Sequence, residues 1–222
     1  MEKSKMATKE RILDQALKTF NKSGYGAVNL FELAKSLDMS RGNMTYHFKD
    51  KESLLKELTE QLWNKLINVR EEKSIPSFQN LHNDAQHYYK LQKEYSFIFH
   101  DNQVLKHPLI APKMKILCEK MMKDIEIAIA FSIQLGNMRP EPVPGVYKNL
   151  VLTSWMMMFF WPSQQAIRGD KTKDDGEKVI WSLLLPHLTE KGLASFKKFF
   201  GDDYHASMGE KFDQNMDSYL TF

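Results

Sequence analysis

A single cysteine, Cys118, is present in 222 residues, which excludes an internal disulfide framework and suits a reducing cytoplasm. Long apolar runs are also missing. The longest, Val151 to Trp161 with only Thr153 and Ser154 interrupting, falls short of the roughly 18–20 residues that a membrane span needs. The opening MEKSKMATKERIL places no apolar stretch after its lysines, so it does not read as a signal peptide. No G-x-S-x-G, H-E-x-x-H, Gly-rich phosphate loop or C-x-x-C occurs, and no enzyme, metal or cofactor is expected. His82, Asp84 and His87 lie close together, but the two histidines are five apart, a poor helical metal pair, so they read as surface residues. Cys118 reads as a small buried hydrophobe.

Alternating strand patterns are absent, and helical periodicity fills the chain. Ile12, Leu13, Ala16, Leu17 and Phe20 form one apolar face, with Gly24 as its stop. Asn29 caps a second helix and Glu32 follows three residues later, as in a capping box. Ser40 caps a short third helix, and Asp50 a fourth with Leu54, Leu55, Leu58, Leu62 and Leu66 on one side. Further helices are expected near 78–88, 95–101, 114–135, 146–168 and 172–188, with Pro162 and Pro186 kinking or ending the last two. The fold class is therefore all-α: a small three-helix head over residues 1–56 and a larger helical body over 57–222.

Charge follows the same division. Residues 1–56 carry 11 Lys/Arg against 7 Asp/Glu, a net +4, while the remainder carries 20 against 21, a net −1. A small surplus of this kind fits a nucleic-acid-binding head on a near-neutral body.

Function is concentrated in residues 29–52, NLFELAKSLDMSRGNMTYHFKDKE. Two short helices joined by a tight turn are the layout that sets a recognition helix in the major groove. On that helix Arg41, Asn43, Met44 and Thr45 are the expected base contacts, because Arg reads guanine, Asn reads adenine, and Met or a Thr methyl touches a thymine methyl. Gly42 is expected to allow close packing against the second helix. Asn29, Ser40, Tyr46, His47, Lys49 and Lys51 are the expected phosphate contacts, gathered at helix starts and at the end of the recognition helix.

This segment resembles the DNA-binding domain of TetR-family regulators. The family's Asp/Glu-Ile-Ala stands here as Glu32-Leu33-Ala34. Its Gly-Val-Ser-Lys-Gly-Thr-Leu-Tyr-Tyr/His-His/Tyr-Phe-Lys-x-Lys-Glu stands as the run from Asp38 to Glu52. The departures are Asp38 for the turn glycine, and Asn43 and Thr45 for Thr and Tyr on the recognition helix, so operator sequence does not carry over. The resemblance implies a homodimeric regulator of a double-stranded, palindromic DNA operator, released by a small-molecule effector; the short apolar runs add that no membrane partner is expected. It implies a pocket among the middle helices, for which Trp63, Tyr88, His100, Met121, Trp155 and Phe159 are the expected lining and an apolar or aromatic effector the expected ligand. It implies a dimer bundle from the last two long helices, through Leu150, Val179, Leu183 and Leu184. Their apolar content exceeds what one face can hide, which argues separately for a partner. Two other readings stay open: a regulator of the same fold controlled by a protein partner, and a small-molecule enzyme.

Overall fold

The computed structural model describes residues 2–67, 75–169 and 176–209. They form α1 (Glu2–Ser23), α2 (Leu30–Ser36), α3 (Arg41–His47), α4 (Lys51–Ile67), α5 (Phe78–Glu94), α6 (Ser96–His100), α7 (Asn102–Leu105), α8 (Ala111–Gln134), α9 (Val146–Arg168), α10 (Glu177–Leu184), α11 (Glu190–Phe200) and α12 (Asp202–Ala206). The all-α expectation holds: among the described residues the only β pairing is one isolated bridge, Met138 to Leu188. No helix among them is long and apolar enough to cross a membrane.

Local chemistry sets most boundaries. Gly24 stops α1 at a φ of +77°, a left-handed turn that a side chain would strain. The side chains of Asn29 and Ser40 accept from the backbone N–H three residues on, at 2.9 and 3.2 Å, and so cap α2 and α3. Pro162 lies inside α9 without ending it, and Pro186 falls in the 3-10 turn Leu185–His187 that closes α10. The start expected for α10 near residue 172 lies outside the described residues.

The chain divides into two compact units, residues 1–71 with 90–116, and residues 72–89 with 117–222. The first contains more than the head. Its core is Ile12, Leu13, Ala16 and Phe20 of α1, Leu33 and Ala34 of α2, Met44 of α3, Phe48, and Leu54, Leu55, Leu58 and Leu62 of α4, all buried. Phe20 continues that core into α6, its ring centroid 5.2 Å from that of Phe97. In the second unit one cluster joins Ile129, Met138, Tyr147, Leu150 and Val151, and another joins Ala85, Tyr89, Trp161 and Ile180.

His82 is tied into this second unit, contrary to its surface reading. Its Nδ1 meets the buried Glu177 carboxylate at 2.7 and 2.9 Å, and that carboxylate also accepts from Gln86 Nε2 and Trp181 Nε1, each at 2.8 Å. A buried carboxylate is tolerated because hydrogen bonds surround it.

Candidate nucleic-acid interface

The turn between α2 and α3 carries one backbone constraint. Asp38 adopts a φ of +53°, the left-handed region, at the position where the resembling pattern has glycine. Asp and Asn visit this region more readily than other side-chain-bearing residues. The chain is thereby reversed, and Ser40 starts α3 two residues later.

On α3 the one buried residue is Met44, at 0% exposure, while Arg41, Gly42, Asn43, Thr45 and Tyr46 are exposed. The helix therefore shows a polar side to solvent and uses Met44, with Phe48 four residues on, to anchor itself in the head. That corrects Met44 as a base contact: its thioether serves the core and cannot reach a groove. Arg41 and Asn43 remain, with two hydrogen-bonding functions suited to base edges. Thr45 donates its hydroxyl back to the carbonyls of Arg41 and Gly42, at 3.0 and 3.2 Å, so its methyl is the group it can offer a base. Gly42 also departs from expectation. A Cβ there would meet nothing within 4 Å, so it does not serve packing against α2; it keeps the exposed side of α3 low.

Among the phosphate candidates, Asn29 and Ser40 are exposed and use only an acceptor in capping, which leaves the Asn29 amide and the Ser40 hydroxyl as donors. Tyr46 is 67% exposed, and its ring stands edge-on to half-buried His47 at 5.3 Å. Lys49 is exposed. Lys51 is different: its ammonium donates to the carbonyls of Tyr25 and Gly26, at 2.8 and 3.3 Å, and lies 4.4 Å over the Tyr25 ring. Lys51, expected as a phosphate contact, is thus also a strut between the α1–α2 loop and the start of α4.

The residues expected to line an effector pocket fall in both units. Trp63 lies beneath Lys113, whose Nζ is 5.0 Å from its ring. His100 is exposed as a residue, yet desolvation of its ring still lowers its pKa. In the other unit Tyr88 and Phe159 are buried, Met121 and Trp155 half-buried, and the Trp155 and Phe159 rings meet at 5.5 Å. Trp155 Nε1 is buried without a hydrogen-bond partner among the described residues. Half-buried Cys118 has its thiol pushed up by burial and by the Glu119 carboxylate, which disfavours the reactive thiolate.

Of the expected dimer residues, Leu150 belongs to the unit's own core, and Leu183 and Leu184 pack against that core, with Val179 against the neighbouring cluster. Leu150 is thus corrected: a residue 9% exposed within one chain has little left for a second. The exposed apolar side chains of α9 are Leu152, Met156, Phe160 and Ile167. Spacing by four marks three of them as one stripe, but a sequence apolar all round gave no means of telling that side from the buried one.

A capped helix pair with a tight turn, its second helix turning Arg and Asn to solvent, defines a helix-turn-helix DNA-binding protein. Residues 12–58 match the model of the family described as bacterial regulatory proteins, tetR family, and residues 58–196 match that described as bacterial transcriptional repressor. The chain belongs to the TetR family of transcriptional regulators, which are not enzymes. The HTH-type transcriptional regulator AcrR of Shigella flexneri is 42% identical over 53 residues, 24% of this chain and 25% of that relative, so the match spans about a quarter of its length. A TetR-family regulator from Marinobacter aquaeolei VT8 shares the fold at a TM-score of 0.69 and 20% identity, over 89% of this chain and 98% of its own. AibR, solved in complex with isovaleryl coenzyme A and operator DNA, does so at 0.53 and 21% identity, over 79% of this chain and 95% of its own.

Proposed function

We propose that this regulator is a repressor that binds a palindromic operator as a homodimer and is released by a small, largely apolar or aromatic effector. The observation that carries the reading is the solvent-facing side of α3, where Arg41, Asn43 and the Thr45 methyl stand ready for base edges while Met44 holds the helix to its support. Reading is assigned to residues 1–56, with phosphate contacts from Asn29, Ser40, Tyr46, His47 and Lys49. Effector binding and dimerisation are assigned to 57–222, in a cytoplasmic protein. One recognition helix covers only a few base pairs, so a usable operator needs two heads about one or more helical turns apart. The exposed apolar stripe of α9 supplies a face for that second copy. The description of the matched family as a transcriptional repressor supports the sign, and the AibR complex supports joint use of an organic effector and an operator on this fold.

Release requires that the effector favour the non-binding state. A 100-fold preference supplies about 2.7 kcal/mol of coupling per site, and operator must then weaken effector binding by the same factor. The test starts with selection of bound sequences from random DNA and a ligand screen against that complex. Effector affinity is then measured by tryptophan fluorescence with and without saturating operator. A recovered palindrome and reciprocal weakening are expected. Equal affinities would overturn effector release and favour control by a protein partner.

A further inference from the structure

We propose that the cleft between α1 and α2 holds a backbone phosphate of the duplex outside the stretch read by α3, with Lys18 and Lys22 as its cationic ligands. The cleft has a volume of about 410 Å³; Gln15, Lys18, Thr19, Lys22 and Ser23 of α1 form one wall, and Asn29, Glu32 and Ser36 belong to the other. Lys18 and Lys22 are four apart on one helix face, both exposed, and neither has an ion-pair partner among the described residues. Two head ammonium groups are held elsewhere, Lys9 by Glu57 at 2.7 Å and Lys51 by the α1–α2 loop, whereas Lys18 and Lys22 line this cleft together. The lining also includes Ala27, Val28 and Leu33, so the two lysines, with Asn29, are the groups that a phosphate diester would meet there.

Asn29 makes the cleft continuous with the DNA face. It lines the cleft and caps α2 through Oδ1, which leaves its Nδ2 protons for an anion. Chain polarity places it one residue before α2, the helix that the Asp38 turn joins to α3. The opposing charge is Glu32, on the α2 wall of the same cleft. Lys18 and Lys22 against Glu32 leave a net +1, enough to favour a singly charged diester. Contacts of this kind add affinity without base preference and raise the number of counterions released on binding.

This inference rests on the DNA-binding reading, and its experiment separates the two. The full-length protein is titrated with the selected operator on duplexes carrying short or long flanks, over a series of salt concentrations. The double variant Lys18→Ala/Lys22→Ala should bind about 5–30-fold more weakly at about 0.15 M salt, flatten the salt slope by about one to two, and keep its base preference. Wild type should lose the same increment when the flanks are trimmed, and the double variant should lose none. Glu32→Gln should bind severalfold more tightly on long flanks only. Unfolding midpoints near wild type for all variants keep the readout on binding. A double variant that binds as wild type does, while Asn43→Ala is impaired, overturns the cleft and leaves the operator reading intact. If wild type selects no sequence, the operator reading itself falls.

Discussion

The side chain of Asn21 donates through Nδ2 to the carbonyl of Glu94 at 2.7 Å, and its Oδ1 accepts from Phe97 N–H at 3.1 Å. A helix end leaves its last carbonyls and first amides unpaired, and α5 stops at Glu94 while α6 starts at Ser96 with no side-chain cap of its own. Asn21, from α1, therefore serves both ends at once and joins the head to the α5–α6 corner of the same unit. Replacing it by Ala strands two part-buried backbone groups. The expected loss is about 2–3 kcal/mol in urea unfolding. Asn21→Asp should recover less than half of it, because a carboxylate accepts from Phe97 but cannot donate to Glu94. Unchanged unfolding for both variants would show that the corner relaxes onto water.

Asp38 offers the opposite sign. Its φ of +53° suits glycine, and glycine loses some of that advantage through extra freedom in the unfolded chain. Asp38→Gly should stabilise by about 0.5–1 kcal/mol, whereas Asp38→Val should destabilise by more than that, since a β-branched residue is an outlier there. Thermal midpoints of the pair, compared with wild type, decide it. A Gly variant less stable than wild type would mean that the Asp side chain has a stabilising role outweighing its backbone.

Whatever chain neighbours decide was legible in the sequence. The caps at Asn29 and Ser40, the stop at Gly24 and the α2–α3 turn all depend on residues within about one helical turn. Contacts between distant residues were not. Lys51 meets Tyr25 across 26 positions and His82 meets Glu177 across 95, and no local pattern shows that those polar groups have found partners. Met44 failed for a different reason. Its polar neighbours place it with the groove, although a lone apolar residue on a short amphipathic helix, with Phe48 four on, signals its buried side. On α9, apolar nearly all round, only packing shows that Leu150 faces inward and Leu152 outward.

Asn43 and Met44 are neighbours with separable roles, and a pair of alanine variants distinguishes them. Asn43→Ala should leave stability within about 0.5 kcal/mol of wild type, cost about 1–3 kcal/mol at the cognate operator and relax preference at one base pair. Met44→Ala empties a core position at 0% exposure and should cost about 2–5 kcal/mol of stability. Operator binding by the folded fraction should keep its base preference. A base-preference change confined to Met44→Ala, seen by sequence selection, would reverse the assignment.

Gly192 shows how closely α11 approaches the end of α8. A Cβ at this position would stand 1.9 Å from the carbonyl oxygen of Asn137, which is backbone and cannot swing away. The same Asn137 oxygen accepts from Thr189 N–H at 3.0 Å, and Thr189 Oγ1 donates to Gly136 O at 2.7 Å, so the approach is clasped from both sides. Gly192→Ala should destabilise by about 3 kcal/mol or more through displaced backbone and broken clasp bonds, despite alanine's better helix propensity. Urea unfolding of this variant beside Ala194→Gly, a helix-interior exchange in the opposite direction, isolates the clash. A Gly192→Ala loss no larger than the control's would show that α11 can shift without penalty.

The proposed dimer face can be tested on the exposed apolar stripe of α9. Leu152, Met156 and Phe160 recur every four residues on α9 and are 45%, 46% and 46% exposed. Of the two substituted below, Phe160 also meets the buried Phe159 ring edge-on at 5.0 Å, so unfolding midpoints are measured beside association. Met156→Glu with Phe160→Glu places two carboxylates on a face that, in the proposed dimer, meets its own copy, and like charges and lost apolar burial act together. Sedimentation should then show a monomer, with helical content near wild type and specific operator affinity lowered at least about 100-fold, because two heads no longer share one binding event. Leu184→Glu serves as the contrast. Leu184 packs against its own core, so a charge there should lower the unfolding midpoint before it alters association. A Met156/Phe160 double variant that sediments as a dimer and binds operator normally would move the interface off this stripe. A Leu184→Glu variant that is fully folded yet monomeric would return it to α10.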